Sequence, residues 1–133
     1  RKLKDEFGVS YLFISHNLAV VRQVADEVVV LLSGRVVERG PTEALFSRPL
    51  HPYSRSLIDA IPVPDPDAPF AFNAGQARSS RRDLTGGCPF TDRCAFATDV
   101  CRMKVPPLEE KEQGRWAACW HSETINLNPN TAQ

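Results

Sequence analysis

Val28-Val29-Val30-Leu31-Leu32-Ser33-Gly34-Arg35-Val36-Val37-Glu38-Arg39 reads as two strands joined by a two-residue turn, a β-hairpin. Upstream, Asn17 stands where an N-cap belongs, before a helix that places Leu18, Val21 and Val24 or Ala25 on one face and ends at Asp26. Before that cap, Val9-Ser10-Tyr11-Leu12-Phe13-Ile14-Ser15 is apolar on both faces from Tyr11 to Ile14, the pattern of a strand inside a parallel sheet. Residues 1–8 read as the last turns of a helix, with Leu3 and Phe7 on one face and Gly8 as its left-handed closing residue. Downstream, Pro41 falls at the first turn of a short helix, Thr42 to Phe46, where its missing N–H costs nothing. Helix, strand, helix and strand hairpin in this order imply an α/β architecture. Some 40 residues cannot cover both faces of such a sheet, so the segment reads as a remnant with neighbouring strands missing. The chain begins at Arg1, inside a charged helical pattern, and is expected to be a piece of a longer one.

Composition sets the outer bounds. The chain has 133 residues, with 16 basic and 16 acidic side chains, 42% hydrophobic and 24% charged residues, which suits a soluble globular protein. Neutral net charge argues against nucleic acid as a partner of the whole molecule. The longest aliphatic run, Val28 to Leu32, is far short of the ~20 residues that cross a bilayer, and no signal peptide is recognisable. These averages conceal an asymmetry. All 11 prolines and all 4 cysteines lie after residue 40. Three parts are therefore expected: 1–47, the sheet remnant; 48–86, a helix and a proline-rich linker; and 87–133, a cysteine-bearing extension of loops and short helices. In the middle part Pro52 can start a helix carrying Leu57, Ile58 and Ile61 inward, with His51 as a packed or capping residue. Ile61 to Pro69 must be extended, because proline fixes its own φ and disfavours helix in the residue before it. Arg78, Arg81 and Arg82 read as a solvated basic loop.

The cysteines stand as Cys88-x5-Cys94-x6-Cys101-x17-Cys119. Two disulfides, a structural zinc and an iron–sulfur cluster all remain open on this spacing. No tight Cys-x(2–4)-Cys knuckle of the usual zinc kind is present. If Asp92 to Cys101 is helical, the Cα atoms of Cys94 and Cys101 lie about 10.5 Å apart. Zn–S bonds of about 2.3 Å hold sulfurs only about 3.8 Å apart, so that helix would favour the larger iron–sulfur group. Trp116 and Trp120 flank Cys119 and read as shielding.

Phe13-Ile14-Ser15-His16-Asn17-Leu18, Val24-Ala25-Asp26-Glu27-Val28-Val29-Val30-Leu31 and Gly34-Arg35-Val36-Val37-Glu38-Arg39-Gly40 resemble the final stretch of an ABC-transporter ATP-binding subunit. Arg48-Pro49-Leu50-His51-Pro52-Tyr53-Ser54 resembles the segment that marks the oligopeptide/dipeptide (peptide/nickel) importer branch. Gly87-Cys88-Pro89-Phe90, Arg93-Cys94, Cys101, Pro106-Pro107-Leu108 and Ala118-Cys119 resemble the carboxyl-terminal extension of the same branch. The resemblance implies a P-loop nucleotide-binding fold, of which residues 1–47 would be the end. It makes His16 the switch residue that contacts the γ-phosphate of ATP, serving both catalysis and cofactor binding. It also makes Cys88, Cys94, Cys101 and Cys119 the metal ligands of a [4Fe–4S] cluster, with zinc as the alternative. A reducing compartment disfavours disulfides.

The resemblance further implies ATP and Mg²⁺ in the full-length parent, a second ATPase subunit and two transmembrane permease subunits as partners. Peptide would arrive through a separate binding protein, and the subunit would sit peripherally on the cytoplasmic face of the inner (cell) membrane. The chain contains no Gly-x-x-x-x-Gly-Lys-Ser/Thr loop, no signature sequence and no strand ending in Asp-Glu, so by itself it is expected not to hydrolyse ATP. The alternative is a stand-alone zinc-binding structural or interaction module without nucleotide function; a disulfide-stabilised extracellular domain is a weaker third. Bare apolar strands favour pairing between chains, so the fragment is expected to dimerise or domain-swap, and a clean monomer in light scattering would contradict that.

Overall fold

A computed structural model of the chain describes residues 6–61 and 86–125. The expected proline-rich spacer after Ile61, the basic loop and the start of the first helix lie outside these residues. The elements are α1 (Leu18–Val24), β1 (Glu27–Leu32), β2 (Arg35–Pro41), α2 (Thr42–Ser47), α3 (Pro52–Asp59), a 3-10 turn (Thr91–Arg93), α4 (Asp99–Met103), β3 (Glu109–Glu112) and β4 (Arg115–Ala117).

The hairpin forms as the sequence dictates. Ser33 and Gly34 both take positive φ, 51° and 75°, the backbone of a type I′ turn whose twist matches that of the strands. Val28, Val30 and Leu32 point into the core and Val29 and Leu31 point out. A bulge interrupts the register, with Val30 opposite Glu38 and Leu31 opposite Val36. The extra residue, Val37, is buried, and its carbonyl accepts the Ala118 N–H at 2.9 Å.

That bond introduces the main departure from the expected layout. The extension does not stand apart: β4 pairs with β2 and β3 with β4, making one antiparallel sheet in the order β1-β2-β4-β3. Three caps are local. Asn17 Oδ1 accepts the Val20 N–H at 3.3 Å, Pro52 opens α3 at its first turn, and His51 Nδ1 accepts the Tyr53 N–H at 3.0 Å. Gly8, at φ 61°, closes the helical turn at Glu6 and Phe7.

Two expectations are corrected. Residues 9–15 form no strand; Leu12 and Ile14 are 95% and 90% exposed. A strand apolar on both faces gains its stability from neighbours on each side, and no described strand pairs with it. The helix–strand–helix–strand-hairpin order therefore loses its first strand. Asp92 to Cys101 is not one helix either: a 3-10 turn ends at Arg93, a turn follows, and α4 begins only at Asp99. The spacing argument against zinc loses its premise.

The sheet is held from behind by a buried polar knot. Glu38, on β2, is 1% exposed. Its two carboxylate oxygens accept the Leu50 N–H at 2.8 Å and the His51 N–H at 2.9 Å, which fixes the chain entering α3. Arg115, on β4, lies 3.8 Å from the same carboxylate. Its guanidinium also donates to the Arg48 carbonyl and, at 2.7 Å, to Glu112. Burial pushes the Glu38 carboxyl above its ordinary range, against Ser54, the two amides and Arg115, all of which favour its ionised form.

His51 lies beside this knot at 1% exposure, and burial lowers its pKa to about 4. A histidine depressed from 6.5 lends stability above pH 6.5 and loses it progressively as the pH falls to about 4. We expect about 3 kcal/mol of stability to disappear across that window, from 1.36 kcal/mol per unit. Urea unfolding of wild type and His51→Asn, which keeps a capping acceptor, should diverge with pH; parallel curves would rule out a buried neutral His51.

Candidate metal centre

Four short segments bring the cysteines together. Cys88 precedes the 3-10 turn, Cys94 follows it, Cys101 sits in α4, and Cys119 follows β4. All four line one pocket, with His51, Phe90, Thr91 and Pro106 among its other walls and Trp120 and His121 at its side. Cys101 and Cys119 are buried, Cys88 and Cys94 half-buried, and all four are free thiols, so the two-disulfide arrangement is not formed. Trp120 lines the pocket, whereas Trp116 lies on the outer face of β4, 37% exposed. Trp120, itself 39% exposed, is the one of the two that borders the cysteines.

Close backbone contact sets the spacing. The Cys88 N–H donates to the Cys101 carbonyl at 2.8 Å, and the Thr91 hydroxyl reaches the carbonyls of Cys88 and Cys101 at 2.7 and 3.0 Å. Gly87 makes this approach possible, since a Cβ there would stand 2.4 Å from the Cys101 carbonyl oxygen and 2.5 Å from that of Arg102. From the other side, Phe90 packs its ring 5.5 Å from Tyr53 and 6.1 Å from His51. The residues that follow Glu38's anchor therefore also form the floor of the cysteine pocket.

Every sulfur has a donor. Cys88 is served by the Phe90 N–H and Cys94 by the Phe96 N–H. The His121 N–H reaches Cys119 Sγ at 3.4 Å, and the Thr98 hydroxyl lies 3.6 Å from Cys101 Sγ. Amide donors two residues beyond a cysteine favour its thiolate. Burial acts the other way, pushing Cys119 up to about 12 and raising Cys88 and Cys94, and the mutual repulsion of the four sulfurs adds to it. Without a cation these groups stay protonated at neutral pH; a cation in the pocket reverses the balance.

Four sulfurs are the donor type of a thiolate-bound metal group, but their placement is not that of a formed metal site. The room between the residues is about 10 Å³, space for about one water. Among the described residues no three His, Cys, Asp or Glu side chains close on one point as a metal ion requires. Loading would have to move the ligand loops.

His16 lies elsewhere. It occupies an exposed bend between residues 9–15 and α1, and it does not line the cysteine pocket. Sequence reasoning missed Glu38, Thr91, Thr98 and His121. The one available signal was that Glu38 breaks the apolar run of an inward-facing strand position.

Gly87→Ala should separate the Cys88 and Cys101 segments, costing about 1–3 kcal/mol through overpacking and exposing Cys101 to alkylation. Gly86→Ala, whose Cβ meets nothing nearer than 3.8 Å, should leave both unchanged. Equal alkylation rates in the two variants would refute the close-approach account.

The family described as oligopeptide/dipeptide transporter, C-terminal region, matches residues 37–101. The di/tripeptide transport ATP-binding protein DppF of Pseudomonas aeruginosa is 46% identical over 123 residues, 91% of this chain and 38% of that protein. The dipeptide transport ATP-binding protein DppF of Haemophilus influenzae is 43% identical over 129 residues, 90% of this chain and 37% of that protein. The chain thus spans 37–38% of the length of these relatives. Among the described residues no helix is long and apolar enough to cross a membrane. Strand β2 from Val37 onward, the His51-Pro52-Tyr53 helix start and three of the four cysteines fall inside the matched region; the chain belongs to the oligopeptide/dipeptide branch of the ABC-transporter ATP-binding subunits, whose C-terminal part it resembles.

Proposed function

We propose that the chain is the carboxyl-terminal part of the ATPase subunit that powers peptide import by an ABC transporter. The observation that carries this is the alignment of about nine-tenths of the chain with dipeptide transport ATP-binding proteins at 43–46% identity. On this reading ATP and Mg²⁺ are bound mainly by parts of the longer protein outside this sequence. The subunit works with a second ATPase subunit and two permease subunits at the cytoplasmic face of the cell membrane, and peptide arrives by way of a binding protein. Residues 1–47 complete the nucleotide-binding domain, 48–86 connect it, and 87–133 form the extension.

His16 is then the switch residue. An imidazole at the end of a strand can donate to a phosphoryl oxygen as charge develops during transfer. Its exposed bend and the apolar residues before it, Tyr11 to Ile14, suit a segment that packs against the rest of a nucleotide-binding sheet. In the full-length subunit, His16→Ala should lower ATP hydrolysis about 100-fold or more, the scale of one lost transition-state donor, with ATP affinity changed little. Hydrolysis at the wild-type rate would remove His16 from the reaction.

Cys88, Cys94, Cys101 and Cys119 are the ligands of a [4Fe–4S] cluster on this reading, which would supply a redox-sensitive cross-link between the loops. The all-sulfur donor set and the hydrogen bond at each sulfur support it. Zinc is the second reading, favoured by the small room between the sulfurs. Metal and sulfide analysis after anaerobic purification separates them. About four irons with acid-labile sulfide per chain fit the cluster; one zinc without sulfide would replace it.

A further inference from the structure

Strand β2 is paired on both sides for only part of its length. On one side it pairs with β1 from Arg35 to Pro41. On the other, β4 pairs with Glu38 and Arg39, and the Ala118 N–H to the Val37 carbonyl is the last rung. Leu32 and Arg35 close the two-residue turn as a hydrogen-bonded pair. Pairs alternate along an antiparallel ladder, so the next one, Leu31 with Val36, is the non-bonded kind. Val36 therefore turns its N–H and C=O away from β1, to the side β4 does not reach. Among the described residues no backbone bond joins Val36 to another segment there.

This stretch of edge opens on a groove of about 480 Å³, bounded by the segment between α4 and β3, Val105 to Leu108, and by Val37, Pro89 and Ala118. Small-ligand pockets measure about 300–1,000 Å³ and are mostly apolar with a few polar groups. Pro106 and Pro107 have no N–H to offer the free Val36 carbonyl, and Leu108 on the same wall is 39% exposed. One charge borders the groove, Arg35 at its rim. Every other described arginine pairs with an acid or stacks on a ring. The Arg35 side chain has no such partner among the described residues. An unmatched guanidinium calls for a carboxylate, which it can bind through two parallel N–H donors.

We propose that this groove binds a short peptide with an apolar carboxyl-terminal residue. Its main chain adds to the free edge of β2 at Val36, its last side chain lies against Pro106 and Leu108, and its terminal carboxylate pairs with Arg35. Strand addition takes its affinity from main-chain hydrogen bonds and its selectivity from side-chain pockets. The site goes beyond the role proposed for the chain above and needs neither metal nor nucleotide.

The test titrates the whole chain with N-acetyl-Val-Val-Leu as the free acid, with its carboxyl-terminal amide, and with octanoate, an apolar acid that has no peptide backbone. Calorimetry reads affinity and hydrogen exchange reads the Val36 amide. The free acid should bind and slow exchange at Val36, and the amide should bind about tenfold more weakly, the scale of one charge-assisted contact. Arg35→Gln should lose the same factor for the acid and nothing further for the amide, since both changes remove one interaction. Arg39→Gln, on the same strand but paired with Glu27, should bind as wild type does. Equal affinity for acid and amide would overturn the proposal, as would unchanged exchange at Val36 or no binding at the solubility limit of the peptide. Octanoate binding as tightly as the peptide would replace it with a site for apolar acids. Should Arg35→Gln misfold, the acid–amide comparison on wild type decides by itself.

Discussion

A carboxylate with no water to solvate it dictates the arrangement of this chain. Glu38 lies on an inward strand position, and its burial would be ruinous without donors on every side. The amides of Leu50 and His51 donate to it, and the guanidinium of Arg115, 3.8 Å away, is its ion-pair partner. Satisfying one side chain thus brings β2, the start of α3 and β4 to a common point. Removing a single member leaves the others buried and uncompensated, which typically costs about 3–5 kcal/mol. The order of the sheet, with β4 rather than a neighbouring parallel strand beside β2, is consistent with this demand.

The cysteine pocket inherits its shape from that knot. His51, whose backbone N–H is held by Glu38, turns its ring toward Phe90, and Phe90 lies between Cys88 and Cys94 in sequence. On the far side Gly87 admits the Cys101 carbonyl at a separation no side chain would tolerate. Electrostatics then sets what the pocket can do. Burial and the repulsion of neighbouring sulfurs raise the Cys88, Cys94 and Cys119 thiols, against backbone hydrogen bonds that favour their charged form. On the proposed metal reading, binding there would release protons and tighten as pH rises.

Much of this was legible in the sequence because it is local. The Ser33-Gly34 turn, the Asn17 cap, Gly8 as a left-handed stop and Pro52 at a helix start each depend on residues a few positions apart. The family resemblance was likewise carried by short motifs in order. What depends on distant partners was not readable. Val9 to Ser15 has the composition of a strand, but composition cannot supply neighbours. The pairing of β4 with β2, 79 residues apart between Glu38 and Ala117, leaves no local mark, and such a loop closure costs little more than a shorter one. Thr98 and His121, 23 apart, are in the same position.

The central claim is that Glu38 fuses the hairpin and the cysteine-bearing extension into one cooperative unit. Native-state hydrogen exchange reads it directly, by comparing the Ala118 amide, bonded across to Val37, with amides inside the β1–β2 hairpin. The account predicts matching opening free energies at the two places in wild type and a joint fall in Glu38→Ala. Ala118 exchanging orders of magnitude faster than a protected hairpin would contradict it, for the extension would then be docked on the sheet and not built into it.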